Sequence, residues 1–168
     1  MIAQILLMIV LPAILAIAAA FDLTSFTIPN SLSLALIAGF VAFALASSLE
    51  PAIFSWHLLA ALVALAAGFL LFALGYIGGG DAKLFAAISL WVGWHDLLAY
   101  ALAASLLGGA LTLMLIFLRQ IPLPAGFRLA WVLKLHEKKS GIPYGVALAA
   151  GALVILPHAE ILRLAAVQ

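Results

Sequence analysis

Two aspartates stand apart from the other acids of this sequence. Asp22 closes a long apolar run, and Asp81 opens another directly after Gly78-Gly79-Gly80. Glu50, Asp96, Glu137 and Glu160 fall in loops or at run ends, where a charge reaches water at little cost. An ionisable group at membrane depth is costly and tends to face a bundle interior or a wet cavity. Two carboxylates brought together in such a place cannot both ionise readily, so the pair holds one proton. The ionised member can then act as general base on water, while the protonated one polarises a carbonyl and protonates a leaving amine. That is the chemistry of peptide-bond hydrolysis, and it needs neither a covalent intermediate nor a metal. Position alone leaves a plainer reading open, in which both acids are helix-end charges and Asp81 simply favours the positive end of a helix dipole.

The glycines before Asp81 weigh toward a site. A triple glycine is expected to free the backbone from helical geometry, which at membrane depth is tolerated only beside protein or a water-lined cavity. Glycine also lets a second backbone approach closely. Lys83, two residues on, reads either as a lysine snorkelling to water or as a cation that keeps a neighbouring acid ionised. The four histidines, at 57, 95, 136 and 158, lack metal-ligand spacing and read as scattered interfacial residues. The chain has no cysteine, which excludes disulfides, thiolate metal sites and a cysteine nucleophile.

The elements that must position these residues follow from composition. Of 168 residues, 68% are hydrophobic and 8% charged. A soluble domain is nearer half apolar and a quarter charged. Lipid is therefore expected to solvate much of the chain. Apolar runs cover roughly 2–21, 29–48, 53–76, 81–93, 97–118 and 141–162. Pro29 suits the first turn of the second helix. The fourth run would reach only about 20 Å as a helix, against a hydrocarbon core of about 30 Å, so it begins inside the bilayer or sits where the membrane is thin. Residues 2–20 end in Ala18-Ala19-Ala20 but carry no opening positive charge, so a retained first helix is expected rather than a cleaved signal peptide.

Between the fifth and sixth runs, residues 119–139 hold Arg119, Arg128, Lys134, Lys138 and Lys139 against Glu137 alone. The positive-inside rule puts this loop in the cytoplasm. Counting back through alternating spans brings Asp22 and Asp81 to the same face, with Glu50, Asp96 and Arg163 outside. Residues 126–138 are expected either as a helix on the anionic inner leaflet, anchored by Trp131, or as an ordinary tethered loop. The whole chain, 1–168, reads as one all-α transmembrane domain. The net charge of +1 points to no partner, and neither nucleic acid nor a cofactor is expected.

These residues also carry a resemblance. The stretch from Asp22 to Ile28-Pro29-Asn30 resembles the first active-site segment of type IV prepilin peptidases. Gly78-Gly79-Gly80-Asp81-Ala82-Lys83 fits their G-x-G-D motif with its trailing lysine, and Gly141-Ile142-Pro143-Tyr144-Gly145 looks like the opening of their last helix. The resemblance implies a six-transmembrane-helix bundle of the G-x-G-D aspartyl protease type, with Asp22 and Asp81 catalytic. Gly78, Gly80, Lys83, Ile28, Pro29, Asn30, Pro143, Tyr144 and Gly145 would support substrate or site. It further implies a multi-pass protein of the bacterial inner membrane whose site faces the cytoplasm. Its substrates would be prepilins and pseudopilins, cut after the basic leader, and its other partners membrane lipid and a pilus or secretion machinery.

Two departures refine this. Larger relatives carry an N-terminal cysteine-bearing segment and methylate the new N-terminus. This chain resembles instead the short Tad/Cpa-type members that process Flp-type pilins, so methylation is not expected. The stretch between Asp22 and Ile28 is also uncharged, where many relatives are basic. Two rivals remain from other classes. One is a small proton-coupled transporter using Asp22 and Asp81 as a relay; the other is a non-catalytic membrane subunit of a secretion machine.

Overall fold

The structure is a computed structural model that describes residues 2–123, 129–138 and 140–162. Among these residues every regular element is a helix and there is no strand. Helix α1 is Ile2–Ser25, α2 is Asn30–Ala46, α3 is Pro51–Ala73, α4 is Gly79–Val92, α5 is Trp94–Leu118, α6 is the short Ala130–His136, and α7 is Tyr144–Ile155. Helices α1, α3 and α5 are each long and apolar enough to cross a membrane. Leucine, isoleucine, valine and phenylalanine line their outward faces, an arrangement that water would penalise and lipid accepts.

Helix boundaries have local causes. In α1 the turn Leu6–Val10 widens to a π-helix, with the Leu11 N–H bonded to the Leu6 carbonyl. Pro12 follows, has no N–H to give the preceding turn, and so displaces the ladder. Phe26 ends α1 in the left-handed region, φ 57°, its N–H on the Asp22 carbonyl at 2.9 Å. Pro29 is the extended residue just before α2, not part of its first turn. Helix α3 stops earlier than the triple glycine: Gly75 takes φ +79°, Tyr76 N–H bonds the Leu71 carbonyl and Gly75 N–H bonds the Phe72 carbonyl, the Schellman pattern of helix ends. Gly79 and Gly80 are consequently already helical, in the first turn of α4, and only Gly78 is extended. Gly80 therefore serves close packing against Ile28, and of the three only Gly78 leaves helical geometry.

The short α4 lies at the centre. It packs against α2, α3, α5 and α7, and Ala82, Leu84 and the whole run Ala86–Val92 are buried. A helix apolar on all sides, as this one is from Phe85 onward apart from Ser89, belongs inside a protein. The core joins Leu11, Leu15 and Ala18 of α1, Leu36, Phe40 and Phe43 of α2, Leu84, Ile88 and Trp91 of α4, Tyr100 and Ala104 of α5, and Leu148 and Ala152 of α7. Trp91 donates its indole N–H to the Leu36 carbonyl at 2.9 Å and packs edge-on to Phe40.

Small residues set the tightest crossings, as expected where lipid supplies no hydrophobic drive between helices. A Cβ on Gly151 would lie 2.9 Å from the Ala104 backbone, and one on Gly68 3.1 Å from that of Ala82. At the end of α4, Gly93 takes φ +81° and touches the His57 ring. His57 is buried, and its Nδ1 lies 2.8 Å from the Leu90 carbonyl. That histidine is a core residue capping a helix end, not an interfacial one. Of the expected helix over 126–138, Ala130–His136 is formed, with Trp131 half-buried, while 126–128 lie outside the described residues.

Candidate active site

Three chain segments converge at one end of the bundle: the end of α1, the start of α4 and the start of α7. Asp22 is 5% exposed although it lies in the last turns of α1, where a helix dipole disfavours negative charge. The start of α7 offsets this. Its N-cap residue is Pro143, which supplies no capping side chain. The carboxylate of Asp22 takes that place, accepting the Gly145 N–H at 2.6 Å. It thus sits as an anion on a helix N-terminus, where free amides and dipole both welcome it. Gly145 is required by this approach, because a Cβ there would lie 2.9 Å from Asp22 Oδ2 and 2.7 Å from Ile28 Cδ1.

Asp81 is the third residue of α4. Its Oδ2 accepts the Gly78 N–H at 3.1 Å, and the Ala82 N–H bonds the Gly78 carbonyl at 3.1 Å. This is the acidic half of a capping box, the other half being absent because glycine has no side chain. Ile28 wedges between the two helix starts: a Cβ on Gly80 would meet its Cβ at 3.3 Å, just as one on Gly145 would meet its Cδ1. The residues Ile28, Gly80 and Gly145 therefore form one packing unit that sets how near the two carboxylate-bearing helix ends come.

Between them is a cavity of about 260 Å³, walled by Asp22, Phe26, Thr27, Ile28, Gly78, Gly79, Gly80 and Asp81. Both aspartates border this one cavity. A larger recess of about 600 Å³ between α2, α3 and α4 is apolar along most of its length, with Asn30, Ser33 and Lys83 among its walls. There the Lys83 ammonium donates to Asn30 Oδ1 at 3.0 Å. Lys83 and Asn30 thus pair with each other beside the carboxylate cavity instead of lining it. Pro29 and Pro143 shape the entries to α2 and α7, and the hydroxyl end of the Tyr144 ring packs against Gly108 of α5, where any Cβ would fall 2.6 Å from it.

Sequence reasoning missed Phe26, Thr27 and Gly79 as cavity walls. It also missed Lys134, whose ammonium donates to the Ser25 carbonyl at 3.3 Å and sits 4.9 Å over the Phe26 ring. No local signal marks that pairing across more than a hundred residues. Among the described residues no group of histidine or acidic side chains is arranged to hold a metal ion.

Among the described residues the chain is all-helical, with three helices long and apolar enough to cross a membrane and two carboxylates on one cavity, the make-up of a helical membrane protein. Residues 9–113, which include both aspartates, match the type IV leader peptidase family, and the chain belongs to that family. It is accordingly a peptidase with a type IV leader peptidase-like function. Searches of curated proteins and of solved structures give no match.

Proposed function

We propose that the chain is an intramembrane aspartyl endopeptidase that removes leader peptides from type IV prepilins and pseudopilins, Flp-type ones in particular. The observation that carries this is the shared cavity of Asp22 and Asp81. The two carboxylates act as a coupled pair holding one proton, and a water between them is the nucleophile. One carboxylate removes the water's proton as it attacks the scissile carbonyl; the other donates to the carbonyl oxygen and then to the departing amine. The amide of Gly145 holds Asp22 in place through this exchange, and the Gly78 amide holds Asp81.

The family resemblance implies a cut after a glycine, and glycine suits the site. It is the least helix-favouring residue after proline, so the substrate unwinds at low cost where it enters the cavity. The apolar stretch beyond the cut lies along the bundle, and the basic leader stays among anionic lipid headgroups. Six helices, α1 to α5 and α7, form the spans in the bacterial inner membrane, with the cavity on the cytoplasmic face. Support comes from the basic loop: Arg119 and Lys134 both bond backbone at the end that holds Asp22. Pilus or Tad-type secretion machinery would receive the product.

Asp22→Asn and Asp81→Asn should each lower cleavage of a purified prepilin by at least about a hundredfold, the scale of lost acid–base catalysis, while the protein still inserts and folds. Leader loss scored by mass is the measurement, and substantial processing by either variant would overturn the assignment. The family match does not favour the transporter reading, and the same assay separates the two, since a transporter leaves prepilin intact.

A further inference from the structure

We infer that Arg119 is a positioning residue for the Asp22 carboxylate. The inference rests on the two-aspartate reading and adds to it a control point more than ninety residues away in sequence. Arg119 caps the C-terminus of α5, with its own N–H on the Leu115 carbonyl at 2.9 Å, so its stem is anchored on a long helix. Its guanidinium spans two stretches of chain. Nε donates to the Leu135 carbonyl at 2.9 Å, and Nη2 donates to Ser140 Oγ at 3.0 Å and the Gly141 carbonyl at 2.9 Å.

Each of those stretches leads to one hold on the end of α1. Leu135 lies in α6 beside Lys134, which reaches the Ser25 carbonyl and the Phe26 ring. Gly141 lies two residues before Pro143, the N-cap of α7, whose Gly145 amide binds Asp22. Arg119 therefore ties both holds to α5 at once. Its three acceptors are neutral oxygens, so its removal leaves no orphaned carboxylate. A planar fork suits three acceptors on two stretches, and a lysine would reach only part of the set.

The test uses the full chain in lipid nanodiscs with a purified prepilin, comparing wild type, Arg119→Lys and Arg119→Gln. Hydrogen exchange of the peptide 141–147 reads the amide on Asp22 directly. Arg119→Gln should speed exchange there while peptides of α2 and α4 stay protected. It should lower kcat by about tenfold or more with KM within about twofold, since small misplacement of a reacting group slows chemistry without removing a substrate contact. Arg119→Lys should fall between. Unchanged exchange at 141–147 overturns the tie whatever the activity. Faster exchange with unchanged kcat, or exchange that rises throughout the chain, overturns the positioning role. Asp22→Asn run alongside tests the reading beneath: if it still cleaves, the two-aspartate mechanism fails, whereas the exchange result on Arg119 stands by itself.

Discussion

Asp22 does two jobs with one side chain. It presents a carboxylate to the cavity, and it caps a helix from another part of the chain. Asparagine keeps an oxygen acceptor for the Gly145 amide but cannot hold or release the proton, which is why Asp22→Asn is expected to separate folding from turnover. Gly145 tests the same contact from the opposite side. Gly145→Ala sets a methyl 2.9 Å from Asp22 Oδ2 and 2.7 Å from Cδ1 of the part-buried Ile28, so the carboxylate itself must shift to make room. Cleavage should fall by about tenfold or more, and the melting temperature in detergent should drop. Gly109→Ala is the control: nothing lies within 4 Å of a Cβ there, and alanine in a helix is about 0.5–1 kcal/mol better than glycine. Its melting temperature should stay level or rise, with activity unchanged. Equal losses in both variants would show that the helix, not the Asp22 contact, is what Gly145 protects.

At the scale of elements, α4 carries the arrangement because its two ends are fixed by different devices. Its start is held by Asp81 on Gly78 and by Ile28 against Gly80; its end is held by Gly93 and His57. Gly93→Ala would force a side chain into φ +81° and into the His57 ring, at a cost of about 1–3 kcal/mol from the backbone alone. The expected result is a lower melting temperature with KM for prepilin unchanged, because the fault lies at the end of α4 away from the cavity. A selective loss of substrate affinity instead would mean that this end also reads substrate. Much of this layer was legible in the sequence. The apolar runs located the six longer helices, and the two acids abutting them located the cavity. What was not legible came from tertiary contact. The Schellman turn at Gly75 took over the helix stop that the triple glycine advertised. His57 left the interface because the Leu90 carbonyl at the end of α4 needed a partner. Arg119 and Lys134 counted only as positive charges until the fold brought their acceptors within reach.

For the whole molecule the open quantity is orientation, and charge asymmetry argues it. The end that carries Asp22 also carries Arg119 and Lys134. The opposite end carries His95 and Glu160, 3.9 Å apart, and Asp96, which accepts the Glu160 N–H at 3.2 Å. Basic residues near helix ends are retained on the cytoplasmic side during insertion, while acids contribute little to the choice. A chain without cysteine makes the test direct, since a single introduced thiol is then the only target for a maleimide. Glu50→Cys should react with a membrane-impermeant maleimide in intact spheroplasts. Lys138→Cys, on the exposed stretch after α6, should react only after the membrane is permeabilised. The reverse pattern would put the carboxylate cavity on the outer face, away from newly made prepilins and their leaders, and the proposed reaction would then have no access to its substrate.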